Sequence, residues 1–161
     1  MVARVTPAVK AAEAAKLKFR LMEYEYDHDA EAKGMQAAEA IGLPPSQVFK
    51  TLVAVLEGGE MVCAAIPADA HLSLKALAHA AGAKHAEMAE PAKAERATGY
   101  VVGGISPFGQ KKRMRLFIDA SALEQQEIVV SAGRRGLQIA AAPADMAQAL
   151  KATLCPLKAA V

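Results

Sequence analysis

Two apolar runs separated by a short glycine turn form the clearest hydrophobic pattern in this chain. Residues 51–56 (TLVAVL) and 61–66 (MVCAAI) are rich in β-branched and aliphatic residues, and EGGE, residues 57–60, lies between them. Such runs are typical of buried strands, and a glycine pair supplies the positive φ angles that tight hairpin turns need. The pattern therefore predicts an antiparallel β-hairpin.

Capping residues mark the predicted helices. Thr6 followed by Pro7 is typical of an N-cap and first helical residue, which predicts a helix that ends near residue 17. Ser73 and Gly82 bracket a second helical segment, with glycine at the position that follows the last turn. Further helices are predicted over residues 35–41, 91–97 and from 143 to before 156.

Short apolar runs predict additional strands: residues 19–24, 84–88, 100–102, 116–119, 128–131 and 137–140. The charged stretch 26–33 predicts a loop. Because strands and helices are interleaved but a hairpin is present, a purely parallel sheet does not fit. We therefore expect a mixed α/β (α+β) fold, in which a mixed, largely antiparallel sheet closes toward a barrel and is surrounded by helices.

The composition narrows the class of protein. The 161 residues suit a single domain over 1–161, and 53% hydrophobic but only 4% aromatic residues predict an aliphatic core. No apolar run approaches membrane-spanning length, so we expect a soluble, cytoplasmic protein. Cys63 and Cys155 lack the spacing of a disulfide framework or a zinc site, and we interpret them as buried small hydrophobes.

Positive charge is concentrated, although the formal net charge is only +2. Six of the 19 Lys and Arg residues lie in two glycine-flanked segments: Lys111, Lys112, Arg113, Arg115, Arg134 and Arg135. The rest of the chain is then acidic, so the clustering indicates a polyanion that docks at one face through its phosphates. A solvated charged surface is the alternative for either segment alone.

A glycine loop leads directly into the first basic segment, in TGYVVGGISPFGQKKRMR, residues 98–115. It is not a nucleophile elbow, since Phe108 stands where G-x-S-x-G requires glycine. No P-loop, dinucleotide-binding motif or metal-ligand spacing of histidines occurs, so neither a metal nor a cofactor is expected. Gly103 and Gly104 can bring N–H groups close to a carbonyl oxygen or ribose hydroxyl, with Ser106 beside them. A turn that needs positive φ is the alternative.

Polar side chains at strand ends are further candidates. Lys50 directly precedes the apolar run, where its ammonium could reach a carbonyl or phosphate in a cleft; an ammonium that snorkels to solvent is the alternative. Tyr24 and Tyr26 also lie at a strand end, either as amphipathic edge residues or with one hydroxyl in the same cleft.

Five segments together resemble the YbaK/EbsC family of free-standing aminoacyl-tRNA deacylases, and most closely its YbaK type, which clears Cys-tRNA(Pro). The resemblance covers residues 6 to about 150, and the segments follow the order and spacing of the family: TPAVKAAE from residue 6, YDHD from 26, VFKTLVAV from 48, TGYVVGGISPFGQKKR from 98 and VSAGRRGLQI from 130. The resemblance implies the editing-domain fold that is also inserted in bacterial prolyl-tRNA synthetases.

The resemblance also implies the residues of the site. The family's lysine corresponds to Lys50, its glycine pair to Gly103 and Gly104, and a serine near the pocket to Ser131. Lys50 is then expected to hold the tRNA acceptor end or to stabilise developing charge. The amides of Gly103 and Gly104 are expected to bind the substrate carbonyl oxygen or the terminal ribose, while Ser106 and Ser131 orient the substrate.

Two positions depart from the family pattern. The pocket tyrosine corresponds to Tyr24 when counted from residue 19, or to Tyr26 when YDHD is aligned. Gln138 stands where a relative carries Asp or Ser, so no catalytic role is assigned to it.

The implied reaction cleaves the ester between cysteine and the terminal adenosine of mischarged tRNA. Family members lack a protein nucleophile, and the thiol of the substrate attacks its own carbonyl to release a thiolactone, which profits from proximity. The residues expected to attract the tRNA acceptor end are basic: Lys111, Lys112, Arg113, Arg134 and Arg135. A monomer is expected, with prolyl-tRNA synthetase as a partner.

Two other functions stay open at this point. The chain could deacylate another mischarged tRNA such as Ala-tRNA(Pro), on which water would have to attack because alanine has no thiol. It could also be a non-enzymatic accessory protein that binds tRNA through the same basic segments.

Overall fold

A computed structural model describes residues 4–26 and 33–160. The helices in these ranges are α1 Pro7–Ala14, α2 Lys33–Ile41, α3 Leu74–Ala81, α4 Pro91–Thr98 and α5 Pro143–Leu150, with a 3₁₀ helix over Ala120–Glu124. The strands are β1 Arg20–Glu23, β2 Phe49–Leu56, β3 Met61–Pro67, β4 Ala86–Met88, β5 Arg115–Asp119, β6 Ile128–Arg134, β7 Leu137–Ala141 and β8 Thr153–Cys155. None of the helices in the described ranges has the length and apolar character needed to cross a bilayer.

The described strands form two sheets. In the smaller sheet β7 lies between β1 and β6, and both pairs are antiparallel. In the larger sheet the order is β4-β2-β3-β5-β8, where β2 pairs antiparallel with β3 and β4, and β5 pairs parallel with β3 and β8. The mixed α/β class and the β2–β3 hairpin are therefore confirmed.

The expected closure toward a barrel is wrong for the described residues. The two sheets are joined by an isolated parallel bridge between Val48 and Val129, and the Val129 N–H donates to the Gln47 carbonyl oxygen at 3.0 Å. Just before this bridge the chain turns, with the Gln47 N–H donating to the Pro44 carbonyl oxygen at 2.9 Å. Pro44 and Pro45 have no N–H that could extend a ladder. On the other side of the bridge, β2 pairs with β3 and β4, so the pairing between the two sheets is limited to one residue pair.

The main hydrophobic core lies between the two sheets. Phe49, Val53 and Ile118 of the larger sheet are buried in one cluster with Val130 and Ile139 of the smaller sheet. Helix α1 adds its buried face to the same cluster, and α3 covers the opposite face of the larger sheet. Each fully buried aliphatic side chain of this kind stabilises the fold by about 1.5–3 kcal/mol.

The segment 100–102 forms a loop, so the prediction of a strand there is wrong. The Tyr100 side chain turns into the core, where its hydroxyl donates to the Phe108 carbonyl oxygen at 2.7 Å. Val101 and Val102 are 50% and 42% exposed. The apolar pattern of this segment therefore reflects one buried ring and two exposed valines, and not a paired strand.

Two other boundaries differ from the expectations. Helix α1 ends at Ala14, before the predicted end, and Lys16 takes a positive φ of 59°. Helix α5 ends at Leu150, so the predicted helical end just before Pro156 is wrong. Lys151 takes the left-handed conformation with a φ of 54°, and Thr153–Cys155 form β8 instead. Most of the expected loop 26–33 lies outside the described residues, and Lys33 already belongs to α2.

Gly109 lies where the glycine-rich loop packs against the backbone of α1. This contact predicts how substitutions of Gly109 change the free energy of unfolding. The φ of Gly109 is +63°, and a Cβ there would collide with the Pro7 carbonyl oxygen. Gly58 in the hairpin turn has a φ of +97° with nothing within 4 Å of a Cβ. We expect Gly109→Ala to lower the free energy of unfolding by about 3 kcal/mol or more, and Gly58→Ala by about 1–2 kcal/mol. Urea unfolding curves measure both, and equal losses would contradict the clash.

Candidate active site

A pocket of about 330 Å³ opens beside the first half of β2. Its walls come from β2, the loop before Ile105, β6 and β7, and they are largely apolar. Of the site residues expected from the sequence, four line this pocket: Tyr24, Lys50, Gly103 and Ser131. None of the described lining residues is His, Cys, Asp or Glu. The pocket therefore offers hydrogen-bond donors and one cation within an apolar enclosure, which is the usual form of a ligand site.

The Lys50 ammonium is half-buried at this pocket. Its Nζ donates to the Ala68 carbonyl oxygen at 3.3 Å. Burial lowers the pKa of Lys50, while the nearby Asp69 carboxylate acts in the opposite direction. A cation that is partly removed from water interacts more strongly with negative charge than a fully solvated one. The other N–H groups of this ammonium can bind a carbonyl or phosphate oxygen.

Tyr24, rather than Tyr26, lines the pocket, and Gln138 lies against it. Burial raises the pKa of the Tyr24 hydroxyl, while hydrogen bonds from the Gly136 backbone and the Gln138 side chain lower it. Gln138 is 4% exposed on β7, although sequence analysis assigned it no role. A polar residue within the apolar strand LQIAA is the sequence signal that could have identified it.

Thr51 is a second lining residue that sequence analysis missed. It is 8% exposed, and its Oγ1 has no hydrogen-bond partner among the described residues. A buried hydroxyl without a partner is energetically unfavourable. The position of Thr51 directly after Lys50 in an apolar strand could have drawn attention to it.

The two loop glycines have different structural roles. Gly103 lines the pocket with a φ of +91°, a conformation that favours glycine. A Cβ on Gly104 would lie 3.1 Å from the Arg135 backbone nitrogen, which is tighter than Cβ atoms normally pack, so glycine favours this close approach. The Gly104 N–H donates to the Val101 carbonyl oxygen at 2.9 Å, whereas the Gly103 N–H has no partner within the described ranges. The loop therefore offers one free amide, not the expected pair.

The Ser131 hydroxyl ties this loop to β6. It donates to the Gly104 carbonyl oxygen at 2.9 Å and accepts from the Gly133 N–H at 3.1 Å. Ser106 lies elsewhere, because it is fully buried inside the loop and its Oγ accepts from the Phe108 N–H at 3.1 Å. The structure thus brings Ser131 to the pocket but not Ser106.

The residues of the two basic segments do not line the first pocket. Lys111, Lys112 and Arg113 are exposed. A second pocket of about 300 Å³ combines cations from two parts of the chain: Lys112, Arg113, Arg115 and Lys151. Arg115 already pairs with Glu60 there, at 2.8 Å between Nε and Oε2. This second pocket has the charge of a phosphate-binding surface, separate from the residues that line the first.

The second basic segment packs against the glycine loop. The Arg135 guanidinium donates from Nε and Nη2 to the Val102 carbonyl oxygen at 3.1 and 2.7 Å, and it lies 4.9 Å above the Tyr26 ring. The Nε of Arg134 is buried and has no partner in the part of the chain that the structure describes. Tyr26 therefore supports Arg135 beside the loop.

Cys63 is completely buried beside Gln110, whose Nε2 donates to the cysteine Sγ at 3.2 Å. Burial raises the pKa of the Cys63 thiol to about 11. Burial also raises the pKa of the Cys155 thiol, and the Asp119 carboxylate raises it further. Both thiols are protonated at neutral pH and are poor nucleophiles.

Known proteins share both the sequence and the fold. Residues 29–149 match the family model of the aminoacyl-tRNA editing domain. The chain is 38% identical over 138 residues to an Enterococcus faecalis protein named "Putative Cys-tRNA(Pro)/Cys-tRNA(Cys) deacylase EbsC", and the match covers 86% of this chain and 84% of that protein. It is 29% identical over 127 residues to a proline–tRNA ligase of Brachyspira hyodysenteriae, covering 78% of this chain and 22% of the ligase.

A solved structure supports the same fold. The crystal structure of "a putative trans-editing enzyme for prolyl tRNA synthetase" superimposes with a TM-score of 0.82 at 22% identity. The match covers 97% of this chain and 99% of that chain. This likeness concerns the arrangement of helices and strands.

The unpaired Thr51 hydroxyl leads to a prediction about stability. We expect Thr51→Val to leave the free energy of unfolding unchanged or to raise it by up to about 1 kcal/mol, because valine keeps the shape and removes an unpaired buried group. Thr98→Val is the matched control. It removes a hydroxyl that donates to the Ala94 carbonyl oxygen at 2.8 Å and accepts from the Tyr100 N–H at 3.1 Å.

The control should lower the free energy of unfolding by about 1–3 kcal/mol, since it leaves buried backbone groups unpaired. Urea unfolding measures both variants. A loss at Thr51 as large as that at Thr98 would mean that the Thr51 hydroxyl has a protein partner after all.

Proposed function

The chain belongs to the aminoacyl-tRNA editing domain family, and on this basis we propose that it is a trans-editing enzyme that deacylates mischarged Cys-tRNA(Pro). The name of the 38% identical Enterococcus faecalis relative supports the choice of substrate. One structural observation carries the proposal: one apolar pocket is lined by Lys50, whose ammonium is half-buried, and by Gly103, whose N–H has no partner among the described residues. Such a pair suits an ester carbonyl that gains negative charge as it reacts.

The pocket supports a mechanism without a protein nucleophile. Its described lining lacks the His, Asp, Glu or Cys side chains that activate a serine or act themselves, and the Cys63 thiol is buried in the core. The nucleophile is then the thiol of the cysteinyl group. Because this thiol is joined to the carbonyl that it attacks, its effective concentration is on the order of 10⁵ M or more.

The proposed cyclisation of the cysteinyl ester needs no co-reactant. The substrate sulfur forms a bond with its own carbonyl carbon, and the carbonyl electrons move onto oxygen, where the Gly103 N–H and the Lys50 ammonium stabilise the charge. When the carbonyl re-forms, the ester bond breaks and the ribose oxygen of the terminal adenosine leaves. The proton lost by the thiol ends on that oxygen, so the products are a thiolactone and free tRNA.

The pocket size defines which part of the substrate enters. A volume of about 330 Å³ lies at the lower end of the usual range of about 300–1,000 Å³ for ligand pockets. The cysteinyl ester therefore occupies the pocket beside Tyr24, Thr51 and Ser131, and the tRNA phosphates stay outside. The exposed Lys111, and Lys112 and Arg113 at the second pocket, attract those phosphates.

Choice of the tRNA comes from outside the pocket in this proposal. The similarity to part of a proline–tRNA ligase supports prolyl-tRNA synthetase as the partner that supplies Cys-tRNA(Pro). The chain would act on it as a monomer.

The substrate assay provides the central test. The protein should deacylate Cys-tRNA(Pro) at least about tenfold faster than Ala-tRNA(Pro), because only cysteine carries the internal nucleophile. Thiolactone should appear among the products, and Cys-tRNA(Pro) that is methylated on sulfur should be inert. Rates from radiolabelled aminoacyl-tRNA and mass spectrometry of the products measure this. Preference for alanine, or turnover of the methylated substrate, would overturn the mechanism.

Lys50→Met separates an enzyme from a tRNA-binding accessory protein. Methionine keeps most of the apolar stem but removes the ammonium, so kcat for Cys-tRNA(Pro) should fall by about 10²-fold or more while tRNA binding persists. Lys75→Met, an exposed substitution on α3, is the charge-matched control and should keep full activity. Unchanged turnover in Lys50→Met would argue against the catalytic role of this residue.

A further inference from the structure

The Val102 residue is bound on both sides by charged side chains. Its N–H donates to Glu95 Oε2 of α4 at 2.8 Å. Its carbonyl oxygen accepts from Arg135 Nε at 3.1 Å and Nη2 at 2.7 Å. Val102 is 42% exposed and lies outside helices and strands, so water could have satisfied both groups. Instead, charged side chains from helix α4 and from the β6–β7 turn hold this one residue, and hydrogen bonds to charged groups are stronger than bonds between neutral groups.

The bond from Arg135 has a geometric consequence for Gly103. The Val102 carbonyl and the Gly103 N–H belong to the same peptide group, and in a planar trans peptide these two bonds point in opposite directions. Arg135 is not among the residues that line the pocket, whereas Gly103 is. Val102 and Gly103 both line the pocket, and a carbonyl that is held toward Arg135 turns the Gly103 N–H away from Arg135.

Gly103 would lose this orientation without such a restraint. Its φ of +91° belongs to a region that only glycine occupies easily, and glycine rotates between regions at little cost. The neighbouring Gly104 is restrained separately, through Ser131 and the close contact with the Arg135 backbone. The Gly104 N–H closes the turn onto the Val101 carbonyl oxygen at 2.9 Å, but this bond involves neither group of the Val102–Gly103 peptide. Arg135 binds that peptide directly, and Glu95 holds the peptide before it through the Val102 N–H.

We propose that Arg135 and Glu95 are positioning residues that clamp Val102 from both sides, Arg135 through the Val102–Gly103 peptide and Glu95 through the preceding peptide, and so aim the Gly103 N–H at the substrate carbonyl. This inference rests on the proposed function, in which that N–H stabilises the carbonyl oxygen. It changes the role expected for Arg135 from attraction of tRNA phosphates to support of the site. The Tyr26 ring, 4.9 Å from the guanidinium, keeps Arg135 in place for this purpose.

Arg135→Lys separates the clamp from phosphate binding, because lysine keeps the positive charge but lacks the planar fork that binds one oxygen through two N–H groups. We expect kcat for Cys-tRNA(Pro) to fall by about 10- to 100-fold, since small displacements of a catalytic group have effects of this size. KM should stay within about twofold, because the charge is retained. Arg96→Lys, on the exposed side of α4, is the matched control and should change neither value.

Glu95 provides the complementary pair of variants. Glu95→Gln keeps an oxygen that can accept from the Val102 N–H, so kcat should stay within about threefold of the original. Glu95→Ala removes the acceptor and should reduce kcat as strongly as Arg135→Lys. If Arg135→Lys raises KM with kcat unchanged, or if Glu95→Ala is fully active, the clamp is refuted.

An NMR measurement on the protein without substrate tests the clamp independently of enzymatic activity. In ¹⁵N-labelled protein, the Gly103 amide signal should shift in Arg135→Lys and Glu95→Ala. Hydrogen exchange of the neighbouring Gly104 amide, which donates to the Val101 carbonyl oxygen, should accelerate by about tenfold or more, since the loop opens more readily. The Gly58 amide in the hairpin turn serves as the internal reference. An unchanged Gly103 amide in both variants would overturn the clamp. An inactive original protein whose Gly103 amide still responds would instead disprove only the deacylase function.

Discussion

The approach of the glycine loop to the β6–β7 turn at backbone distance is the constraint on which the candidate site depends. Gly104 permits it, because a Cβ at this position would lie 3.1 Å from the Arg135 nitrogen. The Ser131 hydroxyl then bridges the remaining gap to the Gly104 carbonyl oxygen. Through this contact the glycine loop, which has no regular secondary structure, is held in place by strand β6. Gly103, which differs from its neighbour in facing the pocket, needs that support to present its amide.

The chemistry of the pocket follows from what lies inside it. Lys50 brings a cation whose pKa burial lowers, and the apolar walls strengthen any interaction between that cation and an oxygen that gains charge. The described walls hold no acid–base pair. An arrangement of this kind favours substrates that contain their own nucleophile, and it leaves the protein with the tasks of orientation, charge stabilisation and exclusion of water.

Local sequence signals predicted much of the fold, because capping and turn residues act over short distances. Thr6 caps α1, Ser73 caps α3, and Gly82 ends α3 in the left-handed conformation, as their positions in the sequence indicate. The same reasoning failed for residues 100–102, where the Tyr100 hydroxyl bonds eight residues away and overrides local β propensity. The joining of the two sheets also depends on a non-local contact, which no local pattern contains.

Site residues could be predicted from the sequence only where the residue type and its immediate neighbours indicate a role. Lys50 and Gly103 stand out as a lysine before an apolar strand and as a glycine before a turn, and both line the pocket. Gln138 and Thr51 were missed, since their importance comes from neighbours that lie far away in sequence. The sequence likewise could not predict the direction in which a side chain points. Arg135 and Lys112 both appear in the sequence as basic residues next to another basic residue. In the structure Arg135 binds the glycine loop, whereas Lys112 lines the second pocket.

The Thr6 hydroxyl, which donates to the Ala132 carbonyl oxygen at 2.6 Å, has a consequence for how the chain folds during synthesis. The two residues are 126 positions apart, and β1 likewise pairs with β7, near the other end of the chain. Segments α1 and β1 are therefore synthesised long before β6 and β7, which they contact. The β2–β3 hairpin can form early, whereas α1 and β1 must wait for these later strands, and contacts of such long range slow folding.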